Sequence, residues 1–209
     1  MASSLTGLMR QLTWADFAMR QGSEPPAGTP ATAAFTDPGS TVSPIAFSPV
    51  KDGPRGSIEL KDNLQVSVFM KPTSFKMSWL ADRSTGFQTD LLNHEQGHYT
   101  ILALLARDYF VDMMLLKGKI FATDKEATDA VEAIRKGSLA KNKAIQALYD
   151  HDVHPEQAQG LSRGPKQQEW DKIFRAAFTN PRASGTTTPD GTPHKDPLVV
   201  VIRASGRTI

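Results

Sequence analysis

Alternation of apolar and polar positions marks the first eighty residues of the chain, and helical periodicity marks most of the remainder. The clearest alternation runs from Leu64 to Met70, with Leu64, Val66 and Val68 on one side of a period of two, and predicts a half-buried strand. Ser57-Ile58-Glu59-Leu60 precedes it across a turn at Lys61-Asp62-Asn63, and Phe75 to Leu80 resumes the pattern after Pro72. Leu12 to Phe17 predicts a short early strand. Thr41 to Val50 predicts an edge or irregular strand, because Pro44 and Pro49 cannot donate to a ladder. Residues 22–40 are rich in Pro, Gly, Thr and Ala and predict a long loop, and Lys51-Asp52-Gly53-Pro54-Arg55-Gly56 predicts a turn. Together these segments predict a meandering antiparallel sheet.

The period then changes. Thr85-Gly86-Phe87-Gln88 has the spacing of a capping box, which opens a helix of about thirty residues closed by Gly118. Its apolar positions (Leu91, Leu92, Leu102, Leu105, Ala106, Tyr109, Phe110, Met113, Leu116) form a wide stripe, the mark of a buried central helix. A second capping box, Thr123-Asp124-Lys125-Glu126, opens another long helix with Ala127, Val131, Ile134, Ile145 and Leu148 on its apolar side, bent at Gly137-Ser138 and ending near Tyr149. Residues 150–166 predict a polar loop. Gln167 to Phe178 predicts a third helix anchored by Trp170, Ile173, Phe174 and Phe178. Residues 180–197 predict a flexible linker and Leu198 to Ile202 a terminal strand. The expected fold class is α+β: a small antiparallel or mixed sheet packed on one long helix and a second. The expected organisation is a leader at 1–11, one domain at 12–179, and a linker with its strand at 180–209.

Composition narrows the function. The 24 basic and 22 acidic residues leave a net charge of +2, and no basic block is interleaved with aromatics, so no nucleic-acid partner is expected. The chain has no cysteine, which excludes disulfides and thiolate metal ligands. The first twenty residues lack the apolar core of a signal peptide, and no run approaches the ~18 apolar residues of a membrane span. No export signal and no membrane span are therefore expected.

The chemistry is concentrated in His94-Glu95-Gln96-Gly97-His98. On a helix, residues i and i+4 share a face, so both imidazoles can point at one ion. Glu95 sits where its carboxylate reaches a water on that ion rather than the ion itself. A cation with imidazole ligands and an open position lowers the pKa of its water to about 7, and a neighbouring carboxylate can move the proton. That is the chemistry of a zinc-dependent peptidase. Two surface histidines and an ordinary glutamate on an exposed helix are the bland alternative; the surrounding apolar periodicity counts against it.

The stretch Leu91-Leu92-Asn93-His94-Glu95-Gln96-Gly97-His98-Tyr99-Thr100-Ile101, with Ala106-Arg107 after it, resembles a family of bacterial predicted secreted zinc-dependent proteases, long catalogued as a domain of unknown function. Trp14-Ala15-Asp16-Phe17, Ser78-Trp79, Tyr149-Asp150, His154 and Gln167-Gln168-Glu169-Trp170 carry the resemblance across roughly residues 12 to 178. It implies a short zincin-like fold, Zn2+ as cofactor, a peptide or protein substrate, export, and His154 as third ligand. The family's usual Thr-x-His-Gly is replaced here by Val153-His154-Pro155-Glu156.

Other residues compete for the third position. His151 is the second imidazole, Asp150, Asp152 and Asp108 are carboxylate rivals, and Glu126 or Glu132 would be a helical glutamate. His194 lies in the linker, away from the expected site. Tyr149 is a candidate electrophile for a developing oxyanion, against an alternative role as an aromatic anchor. The expected function is a zinc peptidase with Glu95 as general base. A catalytically silent zinc-binding module and a metal-dependent amidase acting on cell-wall peptides are the other readings. In the peptidase reading, an extended substrate would add to the strand Leu64–Met70 at the cleft.

Overall fold

The computed structural model describes residues 3–23, 32–51, 53–54, 57–158, 164–179 and 196–209, with the backbone alone for 155–158. Among the described residues the fold is α+β, with small sheets and four α-helices. The strands are β1 (Ser4–Thr6), β2 (Ala18–Arg20), β3 (Ala34–Phe35), β4 (Pro38–Val42), β5 (Phe47–Pro49), β6 (Ile58–Leu60), β7 (Gln65–Met70) and β8 (Phe75–Met77). The helices are α1 (Thr85–Met114), α2 (Asp124–Ala158), α3 (Pro165–Thr179) and α4 (Leu198–Ala204).

The sheets have the orders β1-β7-β4, β2-β8-β3 and β5-β6. The first two follow one path. Residues 34–42 run antiparallel to 66–76, with Ala34 opposite Lys76 and Val42 opposite Val66. On the other side, β1 and β2 run parallel to β7 and β8. The ladder breaks at Asp37. Its carboxylate accepts from Lys71 Nζ at 2.7 Å and Thr73 Oγ1 at 2.6 Å, while its N–H donates to Ser74 Oγ at 3.0 Å.

The structure corrects several expectations. The sheet is not an antiparallel meander, because two of its pairings are parallel. The predicted leader contributes β1, and Tyr99 Oη holds it by donating to the Gly7 carbonyl at 2.7 Å. Gly7 has φ +82°, and any side chain there would run into the Val68 backbone. Leu12 to Phe17 is not a strand but a 3-10 turn at Trp14–Asp16 between two buried anchors, Leu12 and Phe17. β7 is the middle strand of its sheet, with β4 along Val66 to Met70 on one side and β1 along Gln65 to Ser67 on the other, so it is not the edge strand that strand addition by a substrate would need. The predicted loop at 22–40 contains β3 and the start of β4, although 24–31 lie outside the described residues.

α1 occupies the middle of the molecule, which explains its wide apolar stripe. Tyr99, Ala103, Ala106, Tyr109 and Met113 face the sheet with Val66 and Val68. Ile101, Leu104 and Leu105 pack on the other side against Ile145, Tyr149 and Val153 of α2, Trp170 and Phe174 of α3, and Leu198 and Ile202 of α4. Its N-cap is Ser84, one residue before the predicted Thr85, and Ser84 Oγ accepts the Phe87 N–H at 3.2 Å. α2 runs nine residues beyond the expected end at Tyr149. The predicted terminal strand is α4. Its β-branched run is helical because Leu198, Val201 and Ile202, at helical spacing, bury one face. Most of the predicted linker, 180–195, lies outside the described residues, and so does His194. Among the described residues no helix is long and apolar enough to cross a membrane.

Candidate metal centre

α1 presents His94 and His98 one turn apart, and α2 presents Asp150 and His154 one turn apart. Packing of the two helices brings Asp150 against both histidines of α1 and His154 against His94. Ligand atoms of His94, Asp150 and His154 all lie within 4.8 Å of one another, so this group could hold a metal ion. His98 Nε2 is 3.1 Å from His94 Nε2 and 3.1 Å from Asp150 Oδ1. His94 Nε2 is 3.7 Å from the same carboxylate oxygen. Two nitrogens bound to a tetrahedral zinc at about 2.0–2.1 Å lie about 3.3 Å apart, close to the separation of the two imidazoles. The donor set of imidazoles and a carboxylate therefore fits a borderline cation of the zinc type.

The electrostatics favour a neutral, donating ring at His94 and an ion pair with Asp150 at His98. His94 is 3% exposed, and burial, helped by neighbouring His98, pushes its pKa down to about 3. Its ring is thus neutral and able to donate a lone pair at physiological pH. Burial also pulls His98 downward, but Asp150 and Glu95 outweigh it and leave His98 above its ordinary value. Asp150 is raised by burial and lowered further by the imidazoles around it, with a net depression. Glu95 is buried beside Thr36, in the link between β3 and β4, and burial raises its carboxyl above the usual range. Glu95 Oε2 has no hydrogen-bond partner among the described residues. A buried carboxylate oxygen left unmatched beside a polar cluster is an unusual and costly feature.

The rest of the motif serves the packing. Gln96 turns the other way and ties α1 to the N-terminal segment, accepting from the Leu12 N–H at 2.7 Å and donating to the Arg10 carbonyl at 3.2 Å. Gly97 makes room for Tyr149. A Cβ at that position would overlap the Tyr149 hydroxyl and ring, with Cε1 only 2.8 Å away. The Tyr149 ring stacks on His94 at 5.1 Å and 15° and meets His98 edge-on at 5.1 Å. Its hydroxyl donates to Gln167 Oε1 at 2.8 Å and lies 3.1 Å from the His94 carbonyl. This is the geometry of an aromatic anchor. The hydroxyl is spent on α3 and the α1 backbone, so the oxyanion role expected of Tyr149 finds no support in its contacts.

The other candidates fall outside the cluster. His151 is exposed and reaches toward Asp152. Asp152 accepts from Arg207 Nε at 2.7 Å and from Trp170 Nε1 at 3.0 Å. Asp108 pairs with Arg107 and accepts the Leu198 N–H at 2.8 Å. Glu126 accepts the Ala122 N–H near the start of α2, and Glu132 pairs with Arg135 on its surface.

Sequence reasoning missed Thr36, which sits beside Glu95, and Gln146, which sits beside His98. It also missed that Asp150 joins His154 on one face, because α2 continues past Tyr149 through the polar residues that predict a loop. The buried Val153, four residues after Tyr149 and eight after Ile145, carried the signal that α2 continues. Comparison with protein-family models, curated proteins and solved structures found no match to this chain.

Proposed function

We propose that the chain is a zinc-dependent peptidase of zincin-like build, with His94, His98 and His154 holding Zn2+ and Glu95 as general base. The observation that carries this reading is the convergence of imidazoles from two helices beside a buried carboxylate with an unmatched oxygen. The resemblance of the Leu91–Ile101 stretch to predicted secreted zinc-dependent proteases supports it.

Zinc in such a site supplies a Lewis acid that polarises a carbonyl and lowers the pKa of water to about 7. The chain's own residues do the rest. Glu95 accepts a proton from the attacking water and then delivers it to the leaving amine nitrogen, so the peptide bond breaks with no net proton change on the carboxylate. Burial favours the protonated form of Glu95, which suits the delivery step, and Thr36 and His98 favour the charged form that accepts. Tyr149 holds the two imidazoles in place through its ring.

A second reading is supported by Asp150. Its carboxylate oxygen lies close enough to both His94 and His98 to act as a fourth ligand beside His154. Four protein ligands close a zinc site, whereas catalytic sites keep a position open. A closed site would make the chain a zinc-binding module without turnover.

Glu95→Gln and Asp150→Asn separate the two. In the peptidase reading, Glu95→Gln binds one zinc as wild type does and loses turnover on a blocked-peptide library by at least about 100-fold. If that variant still cleaves, the general base is misassigned. In the closed-site reading the wild type cleaves neither peptides nor muropeptides, and Asp150→Asn loosens zinc. Cleavage of muropeptides alone would instead indicate the cell-wall amidase.

A further inference from the structure

The two ring nitrogens of His98 face different partners. Nε2 points into the metal cluster, 3.1 Å from His94 Nε2 and 3.1 Å from Asp150 Oδ1. Nδ1 points away from it and lies 2.6 Å from Gln146 Oε1. Gln146 in turn donates from Nε2 to the His98 backbone carbonyl at 3.1 Å, with Asn142 Oδ1 at 3.4 Å. The His98 backbone carbonyl only accepts, and it fixes which end of the amide is NH2, so an oxygen must face Nδ1. An oxygen acceptor at 2.6 Å requires a hydrogen on Nδ1, so Nε2, which faces Asp150 Oδ1, is the nitrogen that can give up its proton for a metal.

We propose that Gln146 is a positioning residue for the metal centre. It clamps His98 at both ring and carbonyl and holds the tautomer and ring orientation that present Nε2 to the ion. The proposal rests on the zinc reading given above. Its place in the fold is consistent: Gln146, Asp150 and His154 follow one another at intervals of four along α2 and share one face. A single stripe of α2 thereby supplies both the outer partner of an α1 ligand and two donors of its own. Metal-bound histidines commonly donate their second N–H to such a partner, and losing it typically costs about 10–100-fold in metal affinity.

The test is zinc affinity by chelator competition on the full chain, with ¹⁵N-resolved histidine spectra of the zinc-loaded protein, for wild type, Gln146→Leu and Gln146→Glu. Gln146→Leu removes the acceptor. It is expected to weaken zinc binding about 10–100-fold and to turn the His98 Nδ1 proton from slowly to rapidly exchanging. Gln146→Glu keeps an acceptor opposite Nδ1 and is expected to retain that proton and most of the affinity. A purely structural role would not separate the two variants in this way. The wild-type spectrum needs no variant: zinc ligated through His98 Nδ1, or a rapidly exchanging Nδ1 proton, would overturn the proposal. A folded Gln146→Leu protein with wild-type affinity would overturn it as well while leaving the zinc reading intact. A wild-type chain that takes up no zinc overturns both.

Discussion

Gly97 shows how one position in the motif controls the others. Glycine inside a helix costs about 1 kcal/mol relative to alanine, so Gly97→Ala should stabilise α1 if nothing else were involved. The added Cβ would instead overlap Tyr149, whose ring supports His94 and His98. Overpacking of this kind costs about 1–3 kcal/mol. Gly97→Ala is therefore expected to lower Tm by several degrees and to weaken zinc binding, as read by thermal denaturation and chelator competition. A more stable variant with unchanged zinc affinity would show that Tyr149 has room to move. Among single residues the sequence was readable where the chemistry is local: the spacing of His94, Glu95 and His98 is visible in five consecutive residues. Gln146 and Thr36 were not visible, because their roles exist only once α2 and the β3–β4 link pack on α1.

Among the elements, the site depends on the segment of α2 beyond Tyr149. Polar residues at 150–152 and Pro155 disguised it as a loop, although Ile145, Tyr149 and Val153 kept the helical spacing. A contact from the end of the chain fixes it. Arg207 donates to Asp152 at 2.7 Å through Nε and to Glu169 at 2.7 Å through a terminal nitrogen, and its guanidinium lies 5.3 Å from the Trp170 ring centre. Asp152 sits between the two α2 donors. Partial burial raises its carboxyl, but Arg207 and the Trp170 N–H lower it further, leaving it below the usual carboxylate range. A depressed carboxylate stabilises the fold above its unfolded value of about 3.9 and loses that contribution as pH falls through the folded value. Arg207→Ala should cost about 1–2 kcal/mol at neutral pH and less in acid, so its stability gap from wild type narrows below about pH 4. Urea denaturation at pH 7 and pH 3 checks this; a gap that stays constant would show that Asp152 contributes nothing through Arg207. α4 departs from its local pattern for a related reason. A run of Leu-Val-Val-Val-Ile favours a strand locally, but burial of Leu198, Val201 and Ile202 and the Asp108 contact to the Leu198 N–H hold it as a helix.

The whole molecule is organised around α1, with mixed sheet on one side and three helices on the other. The α+β class and the central helix were legible from periodicity. The parallel pairing of β1 and β2 was not, since two three-residue strands carry no pattern of their own. The His94, Asp150 and His154 group that could hold a metal ion joins α1 to α2, so a bound ion would brace the helical half of the molecule. Zinc at 100 times its dissociation constant would stabilise the fold by about 2.7 kcal/mol, and a chelator should reverse that gain. The effect should fade as pH falls below about 6, where protons compete for imidazoles. A Tm indifferent to zinc at pH 7 would contradict the bracing.

The peptidase reading and the positioning role of Gln146 both depend on the cluster between α1 and α2 being a zinc site, and elemental analysis of untagged protein decides that. About one zinc per wild-type chain, lost in both His94→Ala and His154→Ala, is the expected result. Zinc lost only in His94→Ala would leave His154 outside the ligand set and shift weight to Asp150. A wild-type chain with no zinc, even after the metal is added back, would contradict the zinc site and the peptidase reading with it.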